Sequence, residues 1–160
     1  MMIMGLFVGL VGAIVRPDDR ALLRLEAERL AQLLDLAAAE SRLTGQAIAW
    51  TAEGPGYRFW RVDSDARWPE DASRQWTEIR HGDLMRARTL PQGMSISGLQ
   101  VENRPARDAM RLEFSPYGPA PVFNVEVSLG AERFAVAGSP VGEVRVLPGE
   151  GESSGKSAPR

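Results

Sequence analysis

The stretch from Met1 to Thr44, MMIMGLFVGLVGAIV followed by RPDDRALLRLEAERLAQLLDLAAAESRLT, decides how the rest of the chain is read. Met1 to Val15 carries no charged or strongly polar side chain, and Arg16-Pro17-Asp18-Asp19 ends the run abruptly. As a helix rising ~1.5 Å per residue it reaches about 22 Å. A bilayer core is roughly 30 Å thick and usually takes ~20 apolar residues. Three readings compete for the run. A cleaved signal peptide wants a basic start and small residues at its cleavage site, but no Lys or Arg precedes Arg16, and Ala13-Ile14-Val15 is too large. A buried core helix normally shows a polar face, and this run has none. A membrane helix that begins upstream of Met1 fits best, and Met4, Gly5, Leu6, Phe7, Gly9, Leu10, Gly12 and Ile14 are its expected stem and assembly residues. The spacing of Gly5, Gly9 and Gly12 suits close helix–helix packing better than phosphate binding. Arg16, beside the run, ordinarily favours the cytoplasmic side and so argues weakly against a periplasmic place for the residues that follow it.

Residues 18–44 read as a long helix. Asp18 or Asp19 caps its start and suits the positive end of the helix dipole, Pro17 is tolerated in the first turn, and Gly45 is a natural stop. Leu23, Ala27, Leu30, Leu34, Ala37 and Ser41 recur at spacings of four and three, one apolar or small stripe. Leu23, Leu30 and Leu34 are the expected packing residues, either on neighbouring molecules or on the chain's own sheet. Glu26, Glu28, Arg29, Arg20, Arg24 and Glu40 read as a mixed, solvated surface.

Beyond Gly45 the period changes to alternation. Gln46 to Ala52 and Tyr57 to Val62 form a hairpin about Glu53-Gly54-Pro55-Gly56. Trp76 to Ile79 is a short strand, and Asp63 to Arg67 and Pro69 to Arg74 are turn and loop, with Trp68 opening a short element between them. Met94 to Val101 and Met110 to Phe114 alternate, Asn103 to Asp108 is loop, Val122 to Leu129 and Arg133 to Ala137 pair about Gly130-Ala131, and Val141 to Leu147 closes the series. The expected class is therefore α+β, one N-terminal helix packed on seven or eight antiparallel strands. The domain plan is a stem over 1–16, a globular domain over 17–147 and a disordered tail over 148–160, which has little to bury.

With 160 residues, 44% of them apolar, the chain supports one domain and an appendage. A net charge of -2 offers no bulk attraction to nucleic acid. The absence of Cys removes disulfides, thiolate metal sites and Cys nucleophiles. The lone His81 has no second His to share a metal. Asp63, Ser64 and Asp65 lack the glycine and distal Glu of a calcium loop. Ser115 and Ser139 have no base in a recognised motif. Trp50, Trp60, Trp68 and Trp76 with Arg58, Arg61 and Arg67 have the composition of a stacking surface for single strands, but large aromatics on strands more often pack a core. Arg86 and Arg88 read as a solvated sheet edge. No enzyme reading and no cofactor follow.

The order of elements and the segments ERLAQLL at 28–34, AAESRLTGQ at 38–46, GYRF at 56–59, LMRARTLPQG at 84–93, FSPYG at 114–118 and GSPVGEV at 138–144 together resemble the minor pseudopilins of type II secretion, general secretion pathway protein H and its FimT-like relatives. The resemblance implies a pilin-like fold and a structural role, a subunit of the pseudopilus that helps export folded proteins from the periplasm. It also implies a single-pass inner-membrane protein with a periplasmic domain, other major and minor pseudopilins as partners, no nucleic acid, and a prepilin peptidase that cleaves and methylates the full-length form. The family's leader and its acidic residue near the mature terminus do not occur in this chain. The expectation is a start assigned too far downstream, or a truncated product. A minor pilin of a type IV pilus, for adhesion or DNA uptake, shares the architecture, and a membrane-anchored periplasmic binding module is the alternative of another class.

Overall fold

The computed structural model describes residues 17–62, 75–80, 84–106 and 110–149. The apolar run, the Asp63–Arg67 turn, Trp68, His81 and the tail after Gly149 lie outside the described residues.

Helix α1 (Pro17–Thr44) opens with Asp18 and Asp19 in its first turn and carries Arg42 in its last, charges that complement the helix dipole at both ends. It stops where Gly45 takes φ +70°, a left-handed conformation that glycine adopts without a Cβ clash. The 45 amide donates to the Ser41 carbonyl at 3.0 Å, closing the last turn.

Ten strands follow: β1 (Ile48–Glu53), β2 (Gly56–Val62), β3 (Trp76–Glu78), β4 (Arg88–Thr89), β5 (Met94–Val101), β6 (Arg104–Pro105), β7 (Met110–Phe114), β8 (Phe123–Leu129), β9 (Glu132–Gly138) and β10 (Val144–Pro148). The alternating segments of the sequence account for eight. The other two, β4 and β6, are two-residue strands too short to carry any period. One sheet runs β3-β2-β1-β7 with β4 also on β2, and the other runs β10-β9-β8-β5-β6. All pairings are antiparallel. The α+β class is as the periodicity implies.

The helix lies mainly on β8, β9 and β10 and also reaches β1 and β7, so it bridges the two sheets. Leu23, Ala27, Leu30, Leu34, Ala37 and Ser41 are all buried against them. The small Ala27, Ala37 and Ser41 let the helix axis approach closely, and the Ser41 hydroxyl donates to the Phe114 carbonyl at 3.0 Å. Each fully buried leucine stabilises the fold by about 1.5–3 kcal/mol. From the sheets, Ile48, Trp50, Tyr57, Phe59 and Leu112 join Val125, Val127, Phe134 and Val136 in one core. Ring pairs at 6.1 Å, Tyr57 edge-on to Phe59 and Phe114 edge-on to Phe123, set its centre.

One segment read as loop is a hairpin instead. Glu102 and Asn103 both take positive φ, 51° and 59°, and turn β5 into β6. Asn tolerates this conformation but Glu rarely does. Two contacts hold Glu102 there: its amide donates to the Val122 carbonyl at 2.8 Å, and its carboxylate accepts from the Val122 amide at 3.1 Å.

Candidate functional site

Helix α1 presents two leucine stripes. The inner one is spent on the chain's own core: Leu23, Leu30 and Leu34 are at most 1% exposed. Of the two packing partners the spacing allows for them, the chain's own sheets take them. The outer one is Leu22, Leu25 and Leu43, exposed by 37%, 53% and 87%, with the partly buried Leu33 and Leu36 between them. At 3.6 residues per turn these five fall within an arc of about 80°, roughly a third of a turn from the inner stripe. Sequence reading missed this stripe because Arg24, Glu28 and Arg29 are interleaved with it.

Along the flank between the stripes runs an ionic clamp. Glu26 sits three residues after Leu23 and four before Leu30, on the edge of the buried stripe, and is 4% exposed. It is therefore not part of a solvated surface. Arg88 of β4 meets it with two parallel bonds, Nε at 2.9 Å and Nη2 at 2.6 Å, and Arg29 adds one at 3.0 Å. Such a fork matches guanidinium to carboxylate geometry, which Lys cannot do. Arg88 is thus no free sheet edge. Its backbone pairs with Tyr57 of β2, and Met85 and Leu90 on either side of it are buried. The result is a rigid 84–90 segment stapled to the helix. Below it the Tyr57 hydroxyl is buried and makes no hydrogen bond among the described residues. Burial, opposed by Arg88, pushes its pKa up to about 12. The Arg88 guanidinium is driven above its ordinary value by its bond to Glu26.

Between α1 and this segment an open groove of about 1250 Å³ is lined by apolar and polar side chains alike, among them Gln32, Leu33, Asp35 and Leu36 from the helix and Leu84 and Arg86 from the segment. Leu84 is 78% exposed while its neighbour Met85 is 1% exposed. The stapled segment therefore points one apolar side chain inward and the next out.

The other candidates do not gather into a site. Trp50 pairs across the ladder with Phe59 and is fully buried, whereas Trp60 pairs with Ala49 and so lies on the opposite face. There Trp60 donates to the Thr51 hydroxyl at 2.8 Å, and Arg111 stacks on Trp76 at 4.3 Å. Among the described residues, Trp50, Trp60 and Trp76 thus divide between the two faces of one sheet. The Ser115 and Ser139 hydroxyls accept from the amides of Tyr117 and Glu143, as turn residues do. Among the described residues no group of His, Asp or Glu could hold a metal, and no helix is long and apolar enough to cross a membrane. The stem residues Met4, Gly5, Leu6, Phe7, Gly9, Leu10, Gly12 and Ile14 lie outside the described residues.

Comparison with known proteins gives the same picture at family level. Residues 26–142 match the model of a family described as type II transport protein GspH. Among solved structures the fold is similar to the minor pseudopilin EpsH of the type 2 secretion system of Vibrio cholerae, with a TM-score of 0.63 and 18% identity over 81% of this chain and 98% of that one. It is also similar to E. coli GspH, with a TM-score of 0.57 and 14% identity over 84% and 94% of the two chains. The Pseudomonas aeruginosa type IV minor pilin FimU follows, with a TM-score of 0.52 and 15% identity over 81% and 90%. No curated protein sequence matches the chain.

Proposed function

The chain belongs to the GspH family of type II transport proteins, and from that premise we propose that it works as a minor pseudopilin, a structural subunit that assembles with other pseudopilins into the short fibre of a type II secretion system. The observation that supports this most directly is the division of labour on α1. One leucine stripe is used up in folding, and a second, from Leu22 to Leu43, stays exposed at Leu22, Leu25 and Leu43 and only partly buried at Leu33 and Leu36. A helix that must leave a bilayer and enter a bundle needs such an uncovered face, because a neighbour's side chains then replace lipid and water around it.

In this mechanism the apolar residues up to Val15 hold the subunit in the inner membrane, and the β-rich domain stands in the periplasm. On recruitment, the outer stripe of Leu22, Leu25, Leu33, Leu36 and Leu43 packs on adjacent helices. The ionic clamp keeps the 84–90 segment fixed while this happens. The partners are the fibre's major and minor pseudopilins, and a prepilin peptidase processes the full-length form. The role is mechanical, with no reaction carried by the chain itself.

The test is secretion. A strain lacking this gene is expected to retain folded export substrates in its periplasm and to recover when the gene is restored. Normal secretion combined with loss of surface pili or of DNA uptake would overturn the assignment in favour of a type IV minor pilin, whose fold FimU shows to be close.

A further inference from the structure

We propose that the end of the domain farthest from Pro17 is a docking site for an acidic protein surface, gripped by Tyr117 and Val141 on two matched turns and read by Arg42 beside them. That this end faces away from the membrane rests on the pseudopilin reading. The chemistry of the site does not.

The two turns repeat one pattern, Ser115-Pro116-Tyr117-Gly118 and Ser139-Pro140-Val141-Gly142. In each the serine hydroxyl accepts from a backbone amide, that of Tyr117 at 3.3 Å and that of Glu143 at 3.1 Å. Each ends on a glycine of positive φ, 98° at Gly118 and 84° at Gly142. Proline removes backbone freedom at the second position of both. The third position is held out as a result, and both turns put a large apolar side chain there. Tyr117 is 79% exposed and Val141 85%. Apolar side chains fixed in water gain nothing for the fold, and they lose little freedom when a partner covers them.

The turns come together at the last turn of α1. The Tyr117 hydroxyl lies over Gly45, 3.7 Å from where a Cβ would stand. The Arg42 guanidinium lies over Gly142 at 3.4 Å by the same measure, with Ala120 at 3.8 Å. Among the described residues Arg42 makes no hydrogen bond and no ion pair. The neighbouring acids are already taken: Glu143 receives Arg145 on both oxygens at 2.8 Å, and Glu40 pairs with Arg61. The site therefore offers two apolar prongs and one uncommitted cation.

That combination selects the occupant. A carboxylate set among apolar side chains satisfies all three groups, and the prongs shield the ion pair from water. Nucleic acid is held by many cations at once, and here there is one. A second copy meeting this site across a twofold axis would bring Arg42 towards its own counterpart. Helix α1, with 28 residues, is about 42 Å long, so lipid around the stem is out of reach. A folded protein domain with an acid beside apolar hollows is the partner that fits.

The test uses the full-length protein in cells with an intact secretion system. Tyr117→benzoylphenylalanine and, separately, Val141→benzoylphenylalanine report from the site under light, and Leu25→benzoylphenylalanine reports from the outer stripe. Adducts are mapped by mass spectrometry. Both site reporters are expected to link to one and the same protein, next to an Asp or Glu of its surface. Adding Arg42→Glu should lower that yield about tenfold, whereas Arg42→Lys keeps most of it. Changing the mapped acid of the partner to Lys should restore the link to Arg42→Glu. An undiminished Leu25 adduct shows that Arg42→Glu is folded. Links that ignore Arg42→Glu, or that reach only lipid, nucleic acid or a second copy of this chain, would overturn the proposal. Silence at both site positions while Leu25 links to pseudopilins would overturn it too and leave the fibre reading standing. Links at the site without any from Leu25 would keep the docking site and count against the fibre reading.

Discussion

Glu26 shows how a single side chain can be misread from its neighbours in sequence. Flanked by Leu25, Ala27 and Glu28 and followed by Arg29, it has the local setting of an exposed acid on a charged helix. Its buried state depends on Arg88, 62 residues away, and nothing within a few residues of either partner announces the pairing. Removing half of a buried, bidentate pair leaves the other half without compensation. Glu26→Gln is therefore expected to lower unfolding free energy by about 2–3 kcal/mol, read as a lower urea midpoint with an unchanged slope. Tyr57 gives a prediction with a definite sign. Its phenol titrates at about 12 when folded against 10.0 ordinarily. Between those values the unfolded chain releases a proton that the folded chain keeps, so stability falls as pH rises through this window. The contribution is complete below pH ~10 and gone above pH ~12. Tyr57→Phe should flatten that decline, seen as a smaller difference in urea midpoint between pH 9 and about pH 11.5 than the parent shows. At neutral pH the same substitution should cost less than about 1 kcal/mol, because the hydroxyl it deletes forms no hydrogen bond among the described residues.

At the scale of elements, the helix and most strands were legible because their period is local. The inner stripe of α1, the strict alternation of β7 and the looser alternation of β5, which a bulge between Ile96 and Gly98 interrupts, each follow from side chains that repeat within one element. The strands β4 and β6 were not legible, since two residues have no period, and the β5–β6 turn uses a glutamate in a conformation that only its contacts to Val122 explain. Among the stripes, position alone could not say whether Leu23, Leu30 and Leu34 meet a neighbour or the chain's own sheets, because both surfaces are apolar. Their burial separates two jobs that look identical in sequence, and single substitutions should separate them too. Leu34→Ala is expected to cost about 2–5 kcal/mol, since it empties a packed site. Leu25→Ala, on a residue 53% exposed, should change the unfolding free energy by little, within about 0.5 kcal/mol. Gly138 marks a limit of another kind. A Cβ there would lie 2.2 Å from the Phe123 ring that covers it, so Gly138→Ala should lower stability by about 1–3 kcal/mol through overpacking. A calorimetric scan of the three variants side by side checks the ranking.

At the scale of the whole molecule, the fold is a helix that bridges two antiparallel sheets with one flank left open, and the account gives that flank to neighbouring subunits. That proposal starts from the GspH family assignment and the exposed leucines of α1. The most direct test is to isolate the full-length tagged protein from detergent-solubilised membranes and measure how much of the other pseudopilins comes with it. The account predicts that the parent retains partners, that Leu25→Asp combined with Leu22→Asp abolishes their recovery, and that the double variant keeps the parent's melting midpoint. Recovery of partners undiminished by two aspartates on the outer stripe, in a protein that remains folded, would contradict it.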